Sequence, residues 1–239
     1  MVSESKPVRL SPADEAAVHA AIAALEIAEG VVPAGAFTAL QDPALRRAVT
    51  DRLAGCGRAL IRIEARGTRG YVSGYDDQVA NELADGGVGV LSTLDRAVLT
   101  LVLLRTVAIP RAQGRHESVG WLIDDGGVGI DDLAQNRHLT KTQITSSIRR
   151  LRSLGLIRPG HRSRILPGPA FLRLTEHRST QLWEDMVLLC RPDGLLAQAL
   201  RRRRAERRSG RPADNAALSS RHETPGLNDS EADLAKEIP

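Results

Sequence analysis

The sequence predicts an α+β chain, mainly α with small β-hairpin wings, in which a helix–helix–hairpin arrangement occurs twice. Three observations carry that expectation. Ser11-Pro12 and Asp42-Pro43 each place a side-chain cap before a proline, and apolar residues at helical spacing follow both. Ala59–Glu64 and Tyr71–Tyr75 are strand-like and flank a Gly67-Thr-Arg-Gly70 turn. Further on, residues 130–166 read as a short helix, a turn, a capped longer helix, a strand and a returning strand.

In the first half, Asp14 and Glu15 favour the positive end of a helix that carries Val18, Ile22 and Leu25 to about Glu29, with Gly30 stopping it. Residues 31–40 hold a short strand and a turn. A second helix follows from Pro43, with Leu45, Val49 and Leu53 on one face and Gly55 at its end. Helix, helix and hairpin in this order make the later part of a winged-helix unit, expected over residues 11–84.

The second unit is expected over residues 91–193. Ser92 or Thr93 caps a helix whose Leu94, Val98, Leu101 and Val102 mark it as a core element, with Arg105 near its negative pole. Residues 110–117 are polar and loop-like, and residues 119–123 read as a short strand. Residues 130–137 form a short helix with Leu133 and Ala134 inward. Leu139 lies in the turn. Thr140 caps a helix over 141–154, with Ile144, Ile148 and Leu151 three or four apart and Gly155 at its end. Strands then begin at Leu156-Ile157 and, after Pro159-Gly160, at Arg162. Thr175 caps a last helix lined by Leu182, Trp183, Met186, Leu189 and Cys190. A shorter helix over 195–200 precedes an arginine block.

Composition narrows the function classes. The chain has 239 residues, 42% apolar and 26% charged, as expected of a soluble globular protein of one large or two small domains. Its six aromatic residues are too few for stacking platforms on single-stranded nucleic acid. Two cysteines, Cys56 and Cys190, exclude a cysteine-ligated zinc site and a disulfide scaffold. No apolar run reaches the ~20 residues of a membrane span, and MVSESKPVRL lacks a signal-peptide core. A cytoplasmic protein with reduced cysteines is expected.

Net charge is +4, but its distribution matters more. Residues 133–175 contain nine basic residues (Arg137, Lys141, Arg149, Arg150, Arg152, Arg158, Arg162, Arg164 and Arg173) and no acid. Such a stretch carries a positive field. A second block, Arg201–Arg204, Arg207, Arg208 and Arg211, is interrupted only by Glu206. Residues 213–239 hold six acids against two basic residues and read as a disordered acidic tail, so residues 194–239 are expected to be helix, basic block and tail.

The solvent side of the 141–154 helix offers Lys141, Gln143, Thr145, Arg149, Arg150 and Arg152, and the following hairpin offers Arg158, Arg162 and Arg164. Arginine and lysine neutralise phosphates, threonine donates to phosphate oxygens, and Gln143 near the helix start is placed to reach a base edge. These are the candidate double-stranded-DNA contacts. A protein partner is the competing reading of the same basic helix.

Catalytic and metal chemistry is not expected. His19, His116, His138, His161, His177 and His222 are scattered without metal-ligand rhythm, and Asp124-Asp125 and Asp131-Asp132 read as solvated pairs. Cys56 lacks a general base, and no serine sits in a GxSxG elbow. Asp85-Gly-Gly-Val-Gly89 recurs as Asp125-Gly-Gly-Val-Gly129; neither copy follows a strand as a nucleotide loop does, and both read as flexible loops. No cofactor is implied.

The order of these segments resembles the MukE/MksE-type accessory subunits of bacterial condensin-like complexes, including the equivalent subunit of anti-plasmid Wadjet systems. The resemblance runs from about residue 35 to residue 193. It rests on Asp42-Pro-Ala-Leu-Arg-Arg-Ala-Val49, Ala59-Leu-Ile-Arg-Ile63, Gly70-Tyr-Val72, the 94–105 helix, Ser146-Ser-Ile-Arg-Arg-Leu-Arg-Ser-Leu-Gly-Leu-Ile157, Arg164-Ile-Leu-Pro and Phe171-Leu-Arg-Leu. It implies tandem winged helices, a homodimer, a kleisin partner that bridges an SMC-like ATPase, and DNA contact with little sequence preference. It implies a nucleoid-associated, non-enzymatic subunit serving chromosome organisation or plasmid defence. Leu182, Trp183 and Met186 are then candidates for the kleisin or dimer surface. The Arg201–Arg211 block is denser than the resemblance leads one to expect. Two other readings stay open: a dimeric, MarR-like transcriptional regulator, and an interaction protein whose winged helices never touch DNA.

Overall fold

The computed structural model describes residues 10–65, 68–113, 120–121, 126–136 and 138–209. It is mainly helical with two small antiparallel sheets, as the α+β expectation holds. The chain divides into a compact unit ending at Gly194 and a second unit beginning at Leu195. Among the described residues no helix is long and apolar enough to cross a membrane.

The first half runs α1 (Pro12–Ile27), β1 (Val32–Pro33), a 3₁₀ turn, α2 (Thr38–Gln41), α3 (Pro43–Gly55), β2 (Arg58–Ala65) and β3 (Thr68–Tyr75). Both proline starts are real. Ser11 accepts from the Asp14 N–H, and Asp42 accepts from those of Ala44 and Leu45. α1 is shorter than expected: it ends at Ile27, and Ala28 turns extended with its carbonyl taken by Arg173. The sheet order is β1-β3-β2, all antiparallel. Gly70 lies within β3, opposite Ile63 and Pro33, not in the turn. A Cβ there would collide with the Val32 carbonyl and the Val31 side chain, so glycine is what lets β1 close on the hairpin. Val18, Leu25, Leu40, Val49, Leu53 and Tyr71 form the core of this half.

A helix that the sequence reading missed, α4 (Asp77–Asp85), follows, capped by Asp76 on the Gln78 N–H. The second half opens with α5 (Thr93–Leu103), capped by Ser92. It does not stop where the polar stretch begins. A π-turn over Leu104–Ala108 leads directly into α6 (Ile109–Ala112). The wider turn sends the Ile109 N–H to Leu104, five residues back, and resets the register so that Pro110 falls at a helix start, where it needs no N–H. Residues 110–117 were expected as loop; those described reach Ala112 as helix. The expected strand over 119–123 lies mostly outside the described residues, and Gly120 and Trp121 are in bends.

Next come α7 (Ile130–Ala134), α8 (Lys141–Ser153), β4 (Ile157–Pro159), β5 (Ile165–Pro167), a 3₁₀ turn over Pro169–Arg173 and α9 (Glu176–Cys190). Val128, 4% exposed, bridges to Ile165 of β5. So the second glycine-rich copy is no free loop. Its Gly127 lies so close to the Arg164 Cβ and the Ile165 carbonyl that a side chain there would clash. With Val128 counted as a one-residue strand, the sheet order here matches the first half: leading strand, last strand, middle strand. Val98, Val102, Leu133, Ile144, Ile148, Leu151 and Ile157 make one core, and Leu103, Val107, Trp121, Phe171 and Met186 an adjoining one.

Polar contacts join the two halves. Arg173 donates to the carbonyls of Ser73 and Ala28, and Thr175 donates to Asp77 at 2.6 Å. Arg178 donates to the carbonyl of Asp77 and to Asn81. Gly74 of β3 packs directly on the Arg173 carbonyl, leaving no room for a Cβ. Gly74→Ala therefore pushes the 3₁₀ turn off β3. We expect it to lower the thermal midpoint by about 3 °C or more and to expose the 169–178 segment to protease while each core persists. Unchanged midpoint and proteolysis would contradict this docking.

Beyond Gly194, α10 (Leu195–Ser209) is longer than expected: the arginine block through Arg208 is helical rather than following a short helix. The expected acidic tail, Arg211, the Gly67 turn, Arg137, His116, His222 and Asp124-Asp125 lie outside the described residues.

Candidate nucleic-acid interface

α8 forms because its local code is complete. Thr140 accepts from the Gln143 N–H while the Gln143 side chain accepts from the Thr140 N–H, a reciprocal capping box. Gly155, at φ 66°, ends the helix. Its N–H reaches Arg152, and the Leu156 N–H reaches Leu151. Ile144, Ser147, Ile148 and Leu151 are buried. Lys141, Thr145, Arg149 and Arg152, spaced by four, four and three, run along a stripe that flanks this buried face and are exposed.

The structure sorts the predicted contacts into free and engaged groups. Gln143 spends its side-chain carbonyl on the cap, at 2.9 Å from the Thr140 nitrogen, which leaves its amide NH2 as the group that can face a partner. Thr145 donates its hydroxyl to the Lys141 carbonyl at 2.8 Å, so that proton is not offered to phosphate. Lys141 pairs with Asp131 at 2.7 Å. Arg164 donates to the Gly127 carbonyl at 2.9 Å and lies 3.5 Å from Asp132. Arg158 is also engaged.

Arg150 is the largest correction. Its Nε and Nη2 grip Asp95 at 2.8–3.2 Å, and Nη1 donates to Ser146. Asp95, 5% exposed, accepts from Ser92 as well. The Arg150 hydrogen bonds, helped by those of Ser147 and Ser92 against the cost of burial, hold the Asp95 carboxyl well below the usual carboxylate range. Arg150 thus fastens α8 to the start of α5. The nine-cation stretch is free of acid only along the chain; in space, Asp95, Asp131 and Asp132 neutralise three of its members.

Of the predicted contacts, three exposed arginines, Arg149, Arg152 and Arg162, make no side-chain hydrogen bond or ion pair with other described residues. Arg149 and Arg152 share a face of α8. Arg162 sits at the tip of the β4–β5 hairpin, where it and Ser163 adopt left-handed backbone at φ 53° and 59°. Two successive non-glycine residues in that region cost roughly 1 kcal/mol each, a strain met more often at functional sites than elsewhere.

The candidate partner residues also divide. Met186 is 4% exposed within the core of the second half, so it offers no surface to another chain. Leu182 and Trp183 are half-buried against the same core, and the Arg111 guanidinium lies 4.8 Å over the Trp183 ring. Trp121, which the sequence reading left without a role, stacks on Phe171 and donates to Ser179. Cys190 is half-buried, and burial pushes its thiol up, away from the reactive thiolate. Among the described residues no cluster of three metal-ligating side chains occurs. No protein-family model and no curated protein matches the chain.

Proposed function

We propose that this chain is a tandem winged-helix, non-catalytic accessory subunit of a bacterial condensin-like complex. In this reading it holds a kleisin, through it an SMC-like ATPase, and contacts double-stranded DNA without sequence preference. The observation that carries the reading is the set of three arginines on α8 and its hairpin whose side chains have no partner among the described residues. It is supported by the recurrence of one strand order in both halves around a helix pair. Leu182 and Trp183 keep an exposed edge for the kleisin or for a second copy. ATP hydrolysis belongs to the partner.

The test compares random-sequence and promoter duplexes with the full chain. Equal affinities with steep salt dependence fit the reading. A preference of about a thousandfold for one duplex favours the MarR-like regulator, and no binding to either leaves an interaction protein. Co-purification with a kleisin and a long coiled-coil ATPase separates the condensin assembly from both.

A further inference from the structure

We propose that Asp131 restrains DNA binding at the α8 face by neutralising Lys141, with Asp132 acting likewise on Arg164; the inference rests on the DNA-contact reading above. Both acids stand in the first turn of α7, whose positive end favours them there. Lys141 opens α8 and belongs to the same stripe as Arg149 and Arg152. Its ammonium lies 2.7 Å from Asp131, and each group holds the other in its charged form. Both side chains are largely exposed, so the pair itself is weak and a phosphate can displace it. What opposes the phosphate is the carboxylate, which stays within a Debye length of ~10 Å of whatever Lys141 meets. Asp132 does the same beside Arg164 but also accepts the Gly129 N–H, so it is bound up with the start of α7. In this arrangement the face meets duplex through the three arginines without a described side-chain partner and keeps two further cations checked.

The experiment measures affinity for a random-sequence duplex between 50 and 200 mM salt. Asp131→Asn is the informative variant, because among the described residues the Asp131 carboxylate pairs with Lys141, while the cap of α7 is made by Asp132 and stays intact. Glu29→Gln, an exposed acid after α1, controls for net charge. Each phosphate contact steepens the loss across this range by about 3.5-fold. Asp131→Asn is expected to bind more tightly and to show about that much extra salt dependence, with Glu29→Gln unchanged. Lys141→Ala should cost more affinity in the Asp131→Asn background than in the wild type. Equal behaviour of Asp131→Asn and Glu29→Gln, or an equal cost of Lys141→Ala in both backgrounds, overturns the restraint alone. Failure of the wild type to bind duplex overturns the DNA reading, and the restraint with it.

Discussion

Replacing Arg149, Arg152 and Arg162 together by alanine is expected to weaken binding to a random duplex by at least about 100-fold at 0.1 M salt. Each phosphate contact contributes roughly 8-fold there through counterion release. The three side chains are exposed and take no part in the cores, so the variant should keep its fold and thermal midpoint. Arg150→Ala makes the contrasting variant. Its guanidinium is committed to Asp95, so its loss should damage stability first. A triple variant that binds like the wild type would show that duplex is held elsewhere in the chain.

The second large effect concerns Asp95. Asp95→Asn leaves the Arg150 charge unmatched beside a buried amide and is expected to lower the thermal midpoint by about 5 °C at neutral pH. The effect has a pH signature. The Asp95 carboxyl titrates below its unfolded value of about 3.9, so its contribution is fully present above about pH 5. It is lost as pH falls through 4 toward the depressed folded value. The gap between wild type and Asp95→Asn should therefore narrow steadily as pH falls from about 5. A gap of equal size at pH 7 and pH 3 would contradict the ion pair.

What was legible in the sequence was local. Ser11, Asp42, Thr140 and Thr175 all cap the helices expected of them, because a cap is written within three residues. The apolar spacing placed Val18, Leu25, Val49, Ile144 and Leu151 in cores. What was not legible was set by distant partners. Asp95 meets Arg150 across 55 residues, and no periodicity announces that pairing. Ala28 leaves its helix where Arg173, 145 residues on, takes its carbonyl. Pro110 signals a break, yet the π-turn before it lets the helix continue. Val128 follows glycines that suggest a loop, and only its bridge to Ile165 gives it a strand's role. α4 does carry a local signal, Asp76 as cap before Val79, Ala80 and Leu83 at helical spacing, inside the expected first unit of residues 11–84.

Among the described residues, the face of α8 and its hairpin offers three cations whose side chains have no partner, where residues 133–175 of the sequence hold nine. The slope of log affinity against log salt measures that number directly. Between the wild type and the Arg149→Ala, Arg152→Ala, Arg162→Ala variant, the slopes should differ by about 2.7, or ~0.9 for each phosphate released. Identical slopes would contradict the claim.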